Sequence, residues 1–298
     1  MNQGFSVVIP VFNYGHCVER AVRSVLDQSY PALEVIVVND GSTDDTDIVM
    51  RGLVALGDQR LRYISQTNQG LSAVRNRGLQ ESRYPWLVFL DADDEMCPGA
   101  LEAYQACATA CPSARLLIGG HVSATTDRQT SIAPLEASAE RKLNFANYLN
   151  KKLTISNGAC AMHRSLFESV SYDPALRHTE DLPVFAHILA NYDVACFSTP
   201  VAMIHKHAGS MRHDVDAALK VGLSLEAKIF DDNGLPQWAE ALRKPYRARR
   251  LISLIKLCER AGRYQDVGRL YRELFWVSPL QALSPRYLRR FLRSLWLS

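Results

Sequence analysis

At 298 residues the chain is long for one core, which suggests a main domain with an appendage. Its 47% hydrophobic and 22% charged content is ordinary for a globular protein, and no stretch reaches the roughly eighteen uninterrupted apolar residues of a membrane span. The net charge of +3 hides an asymmetry, because Lys244 to Ser298 hold thirteen Lys and Arg against three acidic residues, +10, which leaves −7 for residues 1 to 243.

Phe5-Ser6-Val7-Val8-Ile9-Pro10-Val11 reads as a first buried strand that should end at its proline. It is too short for the core of a signal peptide, so a cytoplasmic protein is expected. The seven cysteines contain no CxxC pair and fit reduced thiols. His16 to Gln28 has apolar residues at helical spacing, and Leu33 to Val38 is a second, β-branched strand. It runs into Asn39-Asp40-Gly41-Ser42-Thr43-Asp44, where Ser42 or Thr43 can cap a helix beginning near Asp44. Leu61 to Ile64 is a third strand, and a third helix opens after Asn68-Gln69-Gly70. This alternation predicts a mainly parallel sheet flanked by helices, an α/β fold. A dinucleotide-binding domain would share the rhythm, but no GxGxxG follows the first strand. Nor is there the glycine-rich, basic phosphate loop expected of a nucleotidyltransferase.

Trp86-Leu87-Val88-Phe89-Leu90 is a short apolar run that stops in Asp91-Ala92-Asp93-Asp94-Glu95. Ligands of open α/β sheets bind at the carboxyl ends of strands, and crowded carboxylates repel unless a cation or a hydrogen-bond network lies between them. Oxygen ligation suits Mg or Mn, which takes its remaining ligands from substrate phosphates. An acidic loop preceding a helix is the plainer reading. Asp40 ends a second strand; its carboxylate can accept from a ribose or a base N–H, or can close an Asx turn.

Four ordered stretches carry a family resemblance: Ser6 to Asn13, Val38 to Asp44, Asn68-Gln69-Gly70 with Ala73 to Asn76, and Phe89 to Asp94. Together they resemble the inverting family 2 glycosyltransferases of the GT-A fold. The resemblance implies a nucleotide-sugar donor, UDP-sugars first, lined by Pro10, Val11, Asn13, Asp40, Asn68, Arg75, Asp91 and Ala92. It further implies Asp40 near the base, Arg75 near the nucleotide or sugar, and Asp91 and Asp93 as the DxD element, with Asp93 a ligand of Mn or Mg.

Gly99 to Cys111 reads as a helix and Leu116 to Gly120 as a strand. Asp127 to Ala139 lacks periodicity and reads as a surface excursion. Asn157 to Met162 is a small-residue strand. His178-Thr179-Glu180-Asp181-Leu182-Pro183 resembles the ED motif of the same family, which assigns the general base to Asp181, with Glu180 as the alternative. A helix dipole favours acids at this position too, since Leu182 to Asn191 is helical. Asp193 to Thr199 is a closing strand. In the loop beyond it His207, ahead of His205, is the family-type metal ligand, and Lys206 and Arg212 are suited to a diphosphate.

Strand signals then cease, and a boundary is expected near residue 230. Ala217 to Phe230, Trp238 to Arg260, Tyr264 to Val277 and Arg286 to Leu297 read as helices. The last sets Tyr287, Leu288, Phe291, Leu292, Leu295 and Trp296 against Arg286, Arg289, Arg290 and Arg293. Such a helix can lie in an anionic membrane interface, or can dock on the catalytic domain. Without a recognition motif the basic charge does not indicate nucleic acid. The expectation is a metal-dependent transferase that adds a sugar to a glycan or lipid-linked acceptor in cell-surface polysaccharide synthesis, such as lipopolysaccharide, at the inner face of the cytoplasmic membrane. Its rivals are a nucleotidyltransferase and a silent nucleotide- or membrane-binding module.

Overall fold

The computed structural model describes residues 4–176, 179–206, 215–231 and 234–297. The chain divides into two units, Met1–Gly209 and Ser210–Ser298, so the boundary expected after residue 230 falls inside the second.

The first unit is built on a nine-stranded sheet. Its strands are β1 (Phe5–Val11), β2 (Leu33–Asn39), β3 (Leu61–Ser65), β4 (Trp86–Phe89), β5 (Glu95–Met96), β6 (Leu116–Ala124), β7 (Gln129–Ile132), β8 (Cys160–His163) and β9 (Val194–His205). They lie in the order β3-β2-β1-β4-β8-β6-β9-β5, with β7 paired to β6. The first four strands are parallel, β8 is antiparallel to both its neighbours, and β6 and β9 are parallel to each other. The helices of this unit are α1 (Gly15–Leu26), α2 (Thr46–Ala55), α3 (Leu71–Glu81), α4 (Ala100–Ala110), α5 (Arg141–Leu149) and α6 (Asp181–Asn191).

Every residue of β1 and β2 is buried, as expected of parallel strands covered on both faces. Val7, Ile9, Val35, Val37 and Val88 pack with Val18, Ala21, Val22 and Val25 of α1 in one core. On the other face α3 comes so close that a Cβ at Gly78 would stand 2.2 Å from Val8 Cγ1, so only glycine fits there.

β1 ends at Val11, one residue past its proline, and β9 runs on beyond the expected end at Thr199. Pro10 is paired with Val38 of β2, but the partnership of β1 with β4 stops at Val8, whose carbonyl accepts from Leu90. Alternate residues of a strand face alternate neighbours, so the missing N–H of Pro10 points where no ladder bond is needed. Pro200 likewise sits opposite Gly120 at a break in the β6–β9 register, and β9 continues to His205. The excursion at 127–139 holds the short strand β7, and α5 follows where no helix was expected. α2 begins at Thr46 rather than Asp44, and the Asp44 carboxylate, not Ser42 or Thr43, accepts from the Thr46 N–H at 3.1 Å.

The second unit consists of α7 (Val215–Val221), α8 (Ser224–Phe230), a 3-10 turn at Gln237–Leu242, α9 (Arg243–Arg260), α10 (Tyr264–Val277), α11 (Pro279–Ala282) and α12 (Pro285–Leu297). Its first helix was expected unbroken, but Gly222, at φ 44°, divides it. Leu251, Leu254, Ile255 and Cys258 of α9 pack with Val267, Leu270, Tyr271 and Leu274 of α10. α12 adds Tyr287, Leu288 and Phe291, the last stacked on Tyr271 at 4.3 Å. The apolar set expected on one face of this helix is therefore split: Leu292, Leu295 and Trp296 stay outside, with Trp296 90% exposed.

Candidate active site

The loops after β1 and β2 are bound to each other. Asn13, at φ 59°, donates its backbone N–H to Ser42 Oγ at 2.9 Å, and its side-chain oxygen accepts from the Thr43 N–H at 2.8 Å. The Gly15 N–H donates to Asp44 Oδ2 at 3.0 Å. Burial works to raise the Asp44 carboxyl, but hydrogen bonds from Thr46 and Gly15 outweigh it and hold the group below the usual carboxylate range. Asp40 is buried and does not close an Asx turn. It accepts from Gln66 Nε2 at 2.8 Å, the Gln69 N–H at 2.9 Å and the Gly70 N–H at 2.8 Å. Three of about four acceptor positions are thus filled, and the carboxylate ties the end of β2 to the start of α3. Asn68 is exposed beside Gly41, whose φ of 73° turns the chain.

After β4 the chain reverses, with the Asp94 N–H donating to the Asp91 carbonyl at 3.0 Å. The four acids here have different surroundings. Asp94 is buried and accepts from the His205 N–H at 2.9 Å, and Glu95 Oε1 meets His205 Nε2 at 2.7 Å and Arg20 Nε at 3.2 Å. These two fasten the turn to β9 and α1. Arg20 also donates to the Asp93 carbonyl at 2.6 Å. Ala92 is buried in the core, whereas the Asp91 side chain is 45% exposed.

Arg75, on α3, is the centre of the arrangement. It is buried to 2% exposure, donates to Glu180 Oε1 at 2.5 Å, lies 3.5 Å from Asp91 Oδ1, and stands over the Tyr172 ring at 5.3 Å. Burial disfavours its charge, but Asp91 and Glu180 more than compensate, and the guanidinium is held above its ordinary value. Glu180 is buried in turn. Asp181, in the first turn of α6, is partly buried, and its carboxyl is pushed up to about 6 by desolvation and then by the Glu180 charge, against the pull of Arg75. Thr179, just before the pair, has φ 61°, which is a strained conformation for a β-branched residue. Such strain is found at functional sites. Its buried hydroxyl and that of Tyr172 have no partner among the described residues.

The structure therefore gathers Arg75, Asp91, Glu180 and Asp181, and arranges Pro10, Val11, Asn13, Asp40 and Asn68 on the loops and strand ends beside them. His207 and Arg212 lie outside the described residues. Sequence reading missed Arg20, Gln66 and Tyr172. Arg20 sits on the polar face of an amphipathic helix, and no spacing marks Tyr172 as the platform for Arg75.

Among the described residues no three His, Cys, Asp or Glu side chains are grouped to hold a metal. The oxygen donors Asp91 and Asp93 nevertheless fit Mg or Mn, which is ordinarily held by one or two carboxylates while substrate phosphates and water supply the rest. A closed structural site is not what this donor set resembles.

The family model described as Glycosyl transferase family 2 matches residues 6–170. In sequence the chain is 39% identical over 98 residues to the GalNAc(5)-diNAcBac-PP-undecaprenol beta-1,3-glucosyltransferase of Campylobacter jejuni, covering 32% of this chain and 31% of that protein. It is 37% identical over 97 residues to an uncharacterized glycosyltransferase, YibD, of Escherichia coli K12, covering 33% of this chain and 28% of that one. The match thus spans less than a third of the length of either relative. In structure, S. aureus TarS 1–349 in complex with UDP-GlcNAc aligns over 98% of this chain and 90% of its own, with a TM-score of 0.68 at 18% identity. The mannosyltransferase PcManGT from Pyrobaculum calidifontis, in complex with GDP-Man and Mn2+, aligns over 100% and 85%, with a TM-score of 0.59 at 18% identity. At such identities the likeness speaks for the fold, a GT-A type mixed sheet flanked by helices. The family match, by contrast, covers more than half of the chain and takes in every strand-end loop from β1 to β4, so the protein belongs to glycosyl transferase family 2 and is a glycosyltransferase.

Proposed function

We propose that the protein is an inverting transferase that moves a sugar from a nucleotide-sugar, UDP-sugars first, to a hydroxyl of a glycan or lipid-linked acceptor in cell-surface polysaccharide synthesis. The observation that carries this reading is the grouping of Glu180 and Asp91 on the buried Arg75, with Asp181 next to Glu180 at the start of α6. Inversion requires the acceptor oxygen to attack from the face opposite the leaving group. As the new bond from acceptor oxygen to C1 forms, the bond from C1 to the phosphate oxygen breaks and its electron pair leaves with the diphosphate. Asp181 takes the hydroxyl proton, and a base whose pKa lies close below the working pH suits that role. Pro10, Val11, Asn13, Asp40, Asn68, Arg75, Asp91 and Ala92 make up the donor side, where the remaining acceptor position of Asp40 suits a base N–H. Asp93, with His207, would hold Mn or Mg. Such an ion supplies charge neutralisation to the departing diphosphate.

The second unit is assigned to an anionic membrane surface. α12 leaves Leu292, Leu295 and Trp296 exposed beside Arg286, Arg289 and Arg293, and no acidic residue occurs from Leu274 to Ser298. No helix among the described residues is long and apolar enough to cross a membrane. Peripheral attachment at the cytoplasmic face follows from this reading.

The test is Asp181→Asn in the full chain. UDP-GlcNAc and UDP-glucose with Mn should raise the melting temperature of the variant as they do that of the wild type, because a ligand of the native state stabilises it. Sugar transfer should fall by roughly two to four orders of magnitude, the usual range for loss of a general base. In the wild type the rate should decline as the pH drops through about 6, because Asp181 becomes protonated and can no longer accept a proton. Transfer at the wild-type rate in Asp181→Asn would remove the base assignment. Equal donor stabilisation in Mn and in EDTA would remove the metal.

A further inference from the structure

Glu180 and Asp181 are neighbours in sequence, but their environments differ. Glu180 is buried to 6% exposure, and its carboxylate receives the Arg75 guanidinium at 2.5 Å. Arg75 is more deeply buried still, with the Tyr172 ring beneath it, and its other anionic neighbour, Asp91, is nearly half exposed and 3.5 Å away. A guanidinium withdrawn from water needs a counter-charge withdrawn with it, and removing one member of such a pair is strongly unfavourable. A general base is protonated once in each cycle. Were that base Glu180, every turnover would strip Arg75 of its buried partner. Asp181 bears no such obligation, since no ion pair of the described residues holds it.

We propose that Glu180 is a positioning residue for sugar transfer: it anchors the buried Arg75, which holds Asp91 on the donor side, and so leaves Asp181 as the single base of the pair. The inference rests on the reading of Asp181 as the base. Among the described residues the charged and titratable groups around Asp181 are Glu180 just before its helix, Arg75 of α3, Asp91 after β4, Cys160 of β8 and Tyr172. Burial raises both the Cys160 thiol and the Tyr172 phenol, so they stay neutral, and the charges that count are Glu180, Asp91 and Arg75. Neutralising Glu180 removes a negative neighbour from Asp181 and leaves Arg75 less compensated. Both changes favour the ionised Asp181, so its pKa falls.

UDP release from UDP-GlcNAc or UDP-glucose, with Mn, is followed against pH for the full-length wild type, Glu180→Gln, Glu180→Asp and Asp181→Asn. In Glu180→Gln the rate at the optimum should fall roughly tenfold, as for a lost positioning contact, and the acid limb should move below the wild-type midpoint. Glu180→Asp keeps the charge but shortens the reach to Arg75, so its limb should stay at the wild-type midpoint while its rate falls. Three results would overturn the proposal. One is a loss of two to four orders of magnitude at every pH in Glu180→Gln, the mark of a base. Another is a wild-type rate with an unmoved limb, the mark of a bystander. The third applies if Glu180→Gln fails to fold: a loss in Glu180→Asp as deep as that of Asp181→Asn would identify Glu180 as the base. Failure of the underlying reading looks different, because it would appear as undiminished turnover in Asp181→Asn whatever the Glu180 variants do.

Discussion

The two units of this protein differ in where they depart from the usual distribution of polar and apolar groups. The sheet unit buries Arg75, Glu180 and Asp94 and exposes Ile48 and Leu56, while the helical unit buries Glu226 and leaves Trp276 82% and Trp296 90% exposed. Buried charge and exposed apolar surface are the informative exceptions in a folded chain, since each costs stability unless something is gained in return. In the sheet unit Arg75 of α3, Asp94 after β4 and Glu180 before α6 are buried, while Glu34 is buried apart from them at the start of β2, where Arg62 and Arg83 meet it. In the helical unit Trp296 lies on a helix whose charged residues are all arginines, whereas Trp276 borders Glu226 and Glu240 as well as Arg243 and Arg247. The proposed reading gives chemistry to the first unit and membrane attachment to the second.

The sharpest way to break the comparison lies in the buried arginine. Arg75→Met leaves Glu180 buried without its cation and should destabilise the chain by about 3 to 5 kcal/mol in urea unfolding, the range for a broken buried pair. The double variant Arg75→Met with Glu180→Gln should recover part of that loss. A change below about 1 kcal/mol in the single variant would mean that Arg75 is not held as described.

A smaller effect is expected from packing alone on the same helix. Gly78→Ala pushes a methyl group against Val8 across the interface of α3 and β1, and overpacking of this kind costs about 1 to 3 kcal/mol. If Gly78→Ala proved as damaging as Arg75→Met, buried charge would not be what distinguishes this unit.

The smallest effect per residue belongs to the helical unit. Each arginine near an anionic bilayer contributes on the order of 1 kcal/mol, and an exposed tryptophan or leucine adds an apolar contribution. The full chain should co-sediment with vesicles containing phosphatidylserine, less so at high salt, and hardly at all with neutral vesicles. The variant Leu292→Ser, Leu295→Ser, Trp296→Ser should lose binding while melting near the wild-type temperature, because these side chains lie outside the core built by Tyr287, Leu288 and Phe291. Equal sedimentation with neutral and anionic lipid would leave α12 as a structural helix alone.

Much of this was legible in the residues themselves. The period of β-branched and apolar residues located β1 to β4 and the helices between them, because hydrophobic periodicity is a local property of the chain. The acidic stops after β2 and β4 marked the strand ends where the site lies. α5 was not legible, since its polar residues blur the periodicity, and neither was the continuation of β9 through Pro200. A proline interrupts a strand only where the neighbouring ladder needs its N–H, and that depends on which neighbour still runs alongside.

What the sequence determined, then, was composition at close range: the parallel sheet, the motif loops, the basic tail and the candidate carboxylates. The tertiary structure decided which carboxylate is held by what. Asp91, Asp93, Asp94 and Glu95 look alike in a row, yet Asp94 and Glu95 are engaged by His205, more than a hundred residues away, while Asp91 is left half exposed beside Arg75. Glu180 and Asp181 are equivalent on paper until Arg75, 105 residues earlier, takes one of them. The physical reason is the same in both cases. The role of a charged group follows from its desolvation and its nearest counter-charge, and both are set by segments that only folding brings together.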